Sequence, residues 1–318
     1  MSKRADHSHL TQLRQQMAAL LEPLAPNEGY NLTVLPDVRF LRSNRPLKSV
    51  PVLYDPGIVI VCQGRKRGFF GGQTYVYDAR QCLVVSVPVP FTMETDATAR
   101  EPLLAIYMHL DFKLAADLML EIDELGGYMP GEPKGMMSSP MDARLSTAVL
   151  RFLESMSHPM EARILGPALV REIYFHILTG AQGPSMRAAL AMQGQFGKVA
   201  RALRRIHPSY QQDLTVEQLA REAGMSVAAF HVHFKAVTNT SPMQYLKSTR
   251  LHQARLLMVR NSVTAAKASA EVGYESPSQF SREFKRVFGR TPVEEVNRMK
   301  ADFAVPPAFA ASAYVSSH

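Results

Sequence analysis

Residues 273–292 read GYESPSQFSREFKRVFGRTP, and this stretch gives the clearest structural signal in the last third of the chain. A related stretch at residues 224–242 reads GMSVAAFHVHFKAVTNTSP. From Ser226 and Ser276 onward the two align at a constant offset of 50 residues. Internal similarity of this kind indicates one supersecondary unit that is used twice.

Each copy has the parts of a helix-turn-helix unit. A first helix is predicted at 216–223 and again at 264–271. Gly224 or Gly273 follows it, and glycine readily takes the left-handed backbone conformation that closes a helix. The serine that comes next predicts the N-cap of a second helix.

Further helix signals support the repeat. In the second copy a proline follows Ser276, and Gln279 is predicted to reach back to the cap as in a capping box. Ser-Pro at 241–242 opens a long helix over 242–260 that joins the two units, and Thr-Pro at 291–292 opens a last helix. Two pairs of phenylalanines lie one turn apart and are predicted to be core rather than base-stacking residues: Phe230 with Phe234, and Phe280 with Phe284.

The excess of positive charge lies in the same part of the chain. The sequence has 36 Lys and Arg against 28 Asp and Glu, a net charge of +8. Residues 196–300 hold 17 of the basic and 8 of the acidic residues, which gives +9 there and −1 elsewhere. A basic module beside a neutral one predicts that the basic module meets a polyanion and that the other has a different task.

The front half of the chain has a β pattern. Between about residues 32 and 110, short β-branched and apolar runs are broken by turn residues, and they predict strands. Gly71 and Gly72 lie between two such runs and predict a tight hairpin turn, because glycine tolerates positive φ angles. Short strands at this spacing are typical of a barrel or a sandwich. Helical periodicity and one loop follow: helices at 112–122, 142–157 and 161–179, and a loop rich in Gly, Pro and Met at 126–140.

Residues 196–300 closely resemble the C-terminal DNA-binding domain of the AraC/XylS family of transcription regulators. The resemblance rests on the pattern GYES-x-SQFSR-x-FK-x-x-x-G-x-TP of the second copy. The front half, with Tyr54-Asp55-Pro56 and VCQGRKR at 61–67, resembles the cupin-like sensor of one subgroup of that family. The resemblance implies an α+β protein, with an N-terminal cupin-like β-barrel and flanking helices, then a C-terminal all-α domain with two helix-turn-helix units.

The resemblance and the changes in pattern together predict four segments. An N-terminal helix or arm covers 1–30, and a sensor domain with linker or dimerisation helices covers 31–190. The DNA-binding domain covers 191–301 and a tail covers 302–318. The resemblance also implies an effector-responsive activator whose two recognition helices read successive major grooves, about 34 Å apart on B-DNA.

The family's base-facing positions carry over to six residues: Ala228, His231 and Val232 in the first unit, and Ser278, Gln279 and Arg282 in the second. Arg282 can make a bidentate contact to guanine, and Gln279 can pair with adenine. The first helix departs from the family pattern, because Val232 stands where a polar or basic residue is common. It is expected to contact a thymine methyl group or to read little sequence. Phosphate contacts are expected from four residues: Lys235, Lys285, Arg286 and Arg290.

Double-stranded promoter DNA is therefore the expected partner, together with RNA polymerase and a small-molecule effector of unknown identity. No cofactor and no metal are expected. The sequence leaves open whether the chain forms a homodimer through the helices of 142–179. It has no stretch apolar enough to span a membrane and no apolar signal-peptide core, so a cytoplasmic, nucleoid-associated location is expected.

Two other functions stay open at this level: a cupin-type metalloenzyme fused to a DNA-binding domain, and a ligand-independent DNA-binding protein. His109 and Asp111 would share one face of a strand, but the preceding strands offer no second histidine for a metal site. His231 and His233 are two positions apart on a helix and do not face each other.

Several residues of the front half admit two interpretations. The aromatic residues line an effector pocket or form the barrel core: Phe69, Phe70, Tyr75 and Phe91. The basic run Arg65-Lys66-Arg67 attracts an acidic effector or lies on a solvated hairpin. Cys62 and Cys82 are expected to be buried free thiols, with a sensing role left open.

Overall fold

The computed structural model describes residues 2–125, 131–191 and 194–302. Its front part contains ten strands within those residues: β1 (Gly29–Leu32), β2 (Val38–Ser43), β3 (Leu47–Tyr54), β4 (Gly57–Gln63), β5 (Arg65–Phe70), β6 (Gln73–Asp78), β7 (Gln81–Val85), β8 (Val89–Asp96), β9 (Leu103–His109) and β10 (Met136–Pro140).

The helices of the described residues precede, follow and interrupt these strands: α1 (Ser2–Leu24), α2 (Phe112–Glu124), α3 (Ala143–Met156), α4 (Pro159–Ile164), α5 (Gly166–Thr179), α6 (Gly183–Leu190), α7 (Gly194–Ser209), α8 (Val216–Ala223), α9 (Val227–Thr238), α10 (Pro242–Arg260), α11 (Ala265–Glu271), α12 (Pro277–Phe288) and α13 (Pro292–Asp302). None of the described helices is long and apolar enough to cross a membrane.

The strands form one antiparallel sheet that curves into a half-barrel. Their order is β1-β2-β9-β4-β7-β6-β5-β8-β3, and β10 pairs with β7. Successive strand residues point to opposite faces, so β4 contributes to two clusters. Ile58 and Ile60 pack beneath the helical layer of α1, α3 and α5, whereas Val59 and Val61 face the interior of the curve. The predicted α+β fold is confirmed, with the barrel in this open form.

Two local predictions for the front part were wrong. The single helix predicted at 161–179 is two helices, because Gly166-Pro167 interrupts the pattern and α5 starts afresh there. The loop predicted at 126–140 contains β10, which pairs with β7 from Met136 to Pro140; residues 126–130 lie outside the described residues. The hairpin prediction is confirmed, since Gly71 and Gly72 have φ angles of 61° and 73° between β5 and β6.

Helices α7 to α10 cover the interior side of the half-barrel. One apolar cluster runs from interior strand residues such as Val89 into Leu203 of α7 and Phe234 of α9. Tyr245 of α10 donates a hydrogen bond to the carbonyl oxygen of Pro88 at 2.9 Å. Arg255, also on α10, donates to the carbonyl oxygen of Pro51 in β3 at 3.4 Å. The β domain and the helical domain therefore share a core and are joined at their rim.

Candidate nucleic-acid interface

The first helix-turn-helix unit consists of α8, a tight turn and α9. Gly224 closes α8 with φ 65° and ψ 45°, in the left-handed region. Thr215 and Gln218 form a complete capping box at the start of α8. Ser226 accepts a hydrogen bond from the Ala229 amide and caps α9. Local chemistry fixes both helices at the predicted positions.

The second unit, α11 and α12, has the same plan with one difference. Gly273 has a φ angle of 85°, and a Cβ added there would lie 2.4 Å from the Gln211 carbonyl oxygen, so glycine is required. Ser276 caps α12 by accepting from the Gln279 amide at 3.3 Å. The predicted capping box was wrong here, because the Gln279 side chain donates to Glu283 at 3.2 Å instead of reaching back.

The four phenylalanines are core residues, as predicted. Phe230, Phe234, Phe280 and Phe284 are all fully buried. The first pair belongs to the cluster shared with the half-barrel. The second pair packs with Leu251 and other residues in a separate cluster. Two buried aromatic rings thus anchor the inner face of each recognition helix, and the opposite face is exposed to solvent.

The six residues predicted to contact bases lie on those outward faces. Ala228, His231 and Val232 of α9 are exposed, and their spacing places them on one stripe of the helix. Ser278, Gln279 and Arg282 of α12 are exposed in the same way. Arg282 forms no hydrogen bond or ion pair with the described residues, so its guanidinium is available to an outside acceptor.

The four residues predicted to contact phosphates are also exposed: Lys235 at the end of the α9 stripe, Lys285 and Arg286 on α12, and Arg290 just after it. The Arg290 guanidinium lies 4.0 Å from the Glu295 carboxylate. That distance is the outer limit of an ion pair, and the buried Glu295 carboxylate already pairs with Arg255 and Arg298 at shorter distances, so Arg290 is held only weakly. These charges form a basic rim beside the six residues predicted to contact bases.

Glu283 is a functional candidate that sequence reasoning missed. Its carboxylate accepts from the Tyr274 hydroxyl at 2.8 Å, from the Lys247 ammonium at 3.2 Å and from the Gln279 amide nitrogen at 3.2 Å. Burial raises the pKa of Glu283, but these three hydrogen bonds outweigh it, and the pKa lies below its usual value. The ionised carboxylate accepts from the amide nitrogen of Gln279, and the amide oxygen accepts no hydrogen bond from the described residues.

Arg250 is a second residue that the sequence did not single out. From α10 it donates to three carbonyl oxygens, those of Tyr210 at 2.7 Å, Gln212 at 2.8 Å and Gly273 at 3.0 Å. Tyr210 and Gln212 lead into the first unit, and Gly273 is the turn of the second. One guanidinium on the helix between the units therefore hydrogen-bonds to the segment that leads into the first unit and to the turn of the second.

The candidate metal ligands are not assembled into a site. Asp111 caps α2, accepting from the amides of Lys113 and Leu114 at 2.9 and 3.0 Å. No group of three or more His, Cys, Asp or Glu side chains that could hold a metal occurs within residues 2–125, 131–191 and 194–302. A structural role for Asp111 accounts for its place after β9.

The ambiguous residues of the front half are now placed. Lys66 is fully buried, so the solvated-hairpin interpretation was wrong for this residue; Arg65 and Arg67 pair with acidic neighbours at the surface. Phe91 is buried core, whereas Phe69 is 38% exposed.

Cys62 and Cys82 are free and buried. Burial raises the pKa of each thiol to about 12, which disfavours the reactive thiolate.

Family models match both halves of the chain. A model of the AraC-type transcriptional regulator N-terminus matches residues 34–185, and a model of a helix-turn-helix domain matches residues 219–298. The chain belongs to the AraC family of transcriptional regulators. As an AraC-type regulator it is a DNA-binding transcription factor and not an enzyme, so the metalloenzyme hypothesis is set aside.

Curated AraC-type regulators align with parts of the chain. The transcriptional regulator AlkR of Acinetobacter baylyi is 33% identical over 95 residues, which cover 30% of this chain and 31% of AlkR. The probable thc operon regulatory protein of Rhodococcus erythropolis is 30% identical over 190 residues, 55% of this chain and 57% of that protein. The chain thus spans about a third and somewhat over half of the lengths of these two relatives.

A solved structure of similar fold covers almost the whole molecule. Wild-type ToxT from Vibrio cholerae, crystallised with an unsaturated fatty acid, superposes with a TM-score of 0.57 over 88% of this chain and 98% of ToxT. The sequence identity is 12%, so the likeness concerns the fold alone. The half-barrel followed by an all-helical domain is therefore an arrangement that another protein also adopts.

Proposed function

We propose that this AraC-type regulator is an effector-responsive activator that reads two successive major grooves of a promoter. The observation that carries the proposal is the pair of exposed faces on α9 and α12, each backed by two buried phenylalanines. Arg250 of α10 hydrogen-bonds to the segment before α8 and to the turn before α12. Such helices enter the major groove, and a fixed separation of about one helical turn places both on one face of B-DNA.

Readout is unequal between the two helices in this proposal. Arg282 contacts guanine through two hydrogen bonds, and Gln279 accepts from adenine N6 through the amide oxygen that Glu283 leaves free. Ala228 and Val232 make apolar contacts, for which the thymine methyl group is the matching partner. The four basic residues on the rim add affinity and salt dependence through phosphates.

Effector response and activation complete the proposal. The structure of ToxT contains an unsaturated fatty acid, and its fold supports a ligand-responsive β domain here. The core shared by the half-barrel and α7 to α10 gives a ligand a route to the DNA-binding units. A ligand shifts the regulator only if it binds two arrangements of the domains with different affinity. RNA polymerase is the proposed second partner at the promoter.

The test is selection from a random duplex library by the full chain, beside an Arg282→Ala variant and a Lys267→Ala control on exposed α11. We expect an asymmetric site that spans two successive major grooves. Its information content falls at one guanine position in the Arg282 variant and is unchanged in the control. Retention of all duplexes alike, weakened only by salt, would contradict sequence-specific regulation.

A further inference from the structure

Arg255 of α10 is a buried arginine at a point where three parts of the molecule meet. It is 1% exposed, although arginine is almost never fully buried unless it is paired. Its guanidinium donates to the Glu295 carboxylate of α13 at 3.4 Å, and the guanidinium carbon lies 4.3 Å from the centre of the Phe288 ring at the end of α12. It also donates to the carbonyl oxygen of Pro51 in β3 at 3.4 Å. One side chain therefore contacts α13, α12 and the β domain.

A further contact orients the guanidinium from within α10. One of its nitrogens donates to Nδ1 of His252, one turn earlier on the helix, at 3.1 Å. Arginine has only donors, so Nδ1 is the acceptor, and burial together with the charge of Arg255 lowers the pKa of His252 and keeps it neutral. Burial lowers the pKa of Arg255 to about 10, at which the side chain is still charged at neutral pH. Directional contacts thus fix a positive charge at this junction.

Glu295 is the buried partner of this arginine. It is 2% exposed, and its carboxylate also accepts from Arg298, one turn further along α13, at 2.8 and 3.0 Å. A buried ion pair adds little net stability, since desolvation offsets much of its attraction. Apolar contacts are non-directional, whereas charged hydrogen bonds require one geometry. The buried pair is therefore better explained by the arrangement that it selects than by the stability that it adds.

The internal repeat supports the same role. The offset of 50 residues aligns Glu295 with Tyr245, and each is the fourth residue of its helix. The Tyr245 hydroxyl lies 2.6 Å from Nε2 of His207 and donates to the carbonyl oxygen of Pro88, in the β7–β8 connection, at 2.9 Å. In the second copy, Glu295 reaches a β-domain carbonyl through Arg255. Both units are thus attached to the sheet from the same helix position, but the second depends on an ion pair.

The second unit has no apolar junction with the sheet like that of the first. Among the described residues, the buried cluster that contains Phe280 and Phe288 includes none from a strand, whereas the cluster of Phe230 and Phe234 runs into the half-barrel. The last strand of the sheet, β3, lies beside α10 and α12. No shared apolar core there would replace the contact of Arg255 with β3.

We infer that Arg255 and Glu295 are a positioning pair that holds the second helix-turn-helix unit in one orientation against β3, and so sets the spacing between half-sites that the regulator accepts. The claim about spacing rests on the proposed function, because both units must read DNA. The claim about orientation does not, because it concerns the free protein. The pair itself contacts no base and acts through the placement of α12.

Orientation is measured by double electron–electron resonance on the full chain, with spin labels at Glu101→Cys before β9 and Lys267→Cys on α11, both exposed positions. The two native cysteines are buried and are expected to stay unlabelled. We expect a narrow distance distribution that becomes about twice as wide in Arg255→Met, because further orientations become populated. Glu295 keeps Arg298 as its partner in this variant. Arg298→Met removes an arginine from the same carboxylate within α13 and is the matched control, with an unchanged distribution expected.

Spacing is measured with the site selected from the library and with duplexes whose half-sites are one base pair closer or farther apart. In Arg255→Met we expect the loss of affinity on the shifted duplexes to shrink at least about threefold, while the half-site sequences stay the same. Arg255→Met with Glu295→Met removes both charges and leaves no buried ion unpaired. This double variant is expected to fold and to show both changes, and it replaces the single variant if circular dichroism shows that the latter is unfolded.

Each outcome bears on one of the two claims. An unchanged distance distribution in the single and double variants, or equal broadening in Arg298→Met, would overturn the orientation role. A broadened distribution with the wild-type dependence on spacing would overturn the link to half-site spacing. The resonance measurement uses no DNA, so broadening in Arg255→Met supports the orientation role even if the library selection finds no specific site and the proposed function fails.

Discussion

The two helix-turn-helix units share a plan but differ in what surrounds them. Phe230 and Phe234 of the first unit belong to the apolar core that it shares with the half-barrel. The first recognition helix ends at Asn239, and a Cβ added to Gly71 at the hairpin tip would lie 3.7 Å from that side chain. The second unit has a core of its own, which includes Phe280. The first unit therefore packs directly against the sensor domain, whereas the second does so much less.

The outward faces differ in the same direction. The outward face of the first unit carries Val232, which is 67% exposed, together with Ala228 and His231. The second offers Arg282 and a Gln279 that is held by Glu283. We infer that the second unit supplies most of the sequence discrimination and that the first carries the state of the β domain to the DNA. A repeated unit can thus divide two tasks between its copies.

The largest effect is expected from removal of one core ring in each unit. Phe284→Ala and Phe234→Ala should each lower the free energy of unfolding by about 3–5 kcal/mol, because each leaves a cavity in a closed cluster. Hydrogen exchange should locate the damage differently. We expect Phe284→Ala to loosen α11 to α13 and Phe234→Ala to loosen α9, α10 and the β7–β8 connection. Identical exchange patterns would show that the two cores are one.

Loss of the Arg250 contacts should separate the units. Arg250→Ala removes three hydrogen bonds from a charged donor, each worth about 1.5–3 kcal/mol at most and less where the group is solvated. We expect affinity for a two-groove site to fall at least about tenfold, while the selected half-site sequences stay the same. Duplexes with altered spacing between the half-sites provide the measurement. Unchanged dependence on spacing would remove Arg250 from this role.

Acid should weaken the junction between the first unit and the β domain. Burial lowers the pKa of His207 to about 3, below the value of 6.5 expected in the unfolded chain. The unfolded chain therefore binds more protons between pH 6.5 and 3, and stability falls as the pH drops through that window. We expect the His207 contribution to change by roughly 1 kcal/mol per pH unit below 6.5.

A comparison with His207→Gln isolates this term. Asp55 has a raised pKa and acts in the opposite sense, because its contribution to stability is lost as the pH rises. That contribution is present in both proteins and cancels in the difference. The gap in urea-unfolding free energy between wild type and variant should narrow from pH 7 to pH 5. A constant gap would mean that His207 binds its proton to the same extent in the folded and the unfolded chain, and it would refute the prediction.

The smallest effect is expected from Glu283→Gln. The substitution removes a negative charge next to the DNA and also the acceptor that orients Gln279. Total affinity should stay equal or rise slightly, whereas discrimination at the base read by Gln279 should relax by about 1 kcal/mol or less. Selection profiles of the two proteins measure this. Glu275→Gln, which removes an exposed carboxylate just before α12, is the matched control. An unchanged profile in Glu283→Gln would refute the positioning role.

The repeat was predictable because its signals are local. The left-handed glycines, the cap serines and the paired phenylalanines each act within a few residues, and α8 and α10 lie within the predicted bounds. The orientation of Gln279 was not predictable, since the choice between its own cap and Glu283 depends on Tyr274 and Lys247. The base-contact assignments themselves stay predictions.

Long-range features escaped the sequence for the same reason. The three acceptors of Arg250 lie 23 to 40 residues away and become neighbours only when both units fold. Lys66 belongs to a basic run and its sequence context suggests a solvated residue. Successive side chains of β5 point to opposite faces of the sheet, however, so the Lys66 side chain points to the interior of the half-barrel. The break before α5 did have a signal in Gly166-Pro167. β10 had none, because its sequence reads as a loop.

The division of labour between the units is tested most directly by wild-type affinity for two altered duplexes. Starting from the selected site, one duplex has the half contacted by α12 scrambled and the other has the half contacted by α9 scrambled. Fluorescence anisotropy at one salt concentration gives both dissociation constants. We predict a loss of about tenfold to a hundredfold for the α12 half and about threefold or less for the α9 half. Equal losses, or a larger loss for the α9 half, would contradict the account.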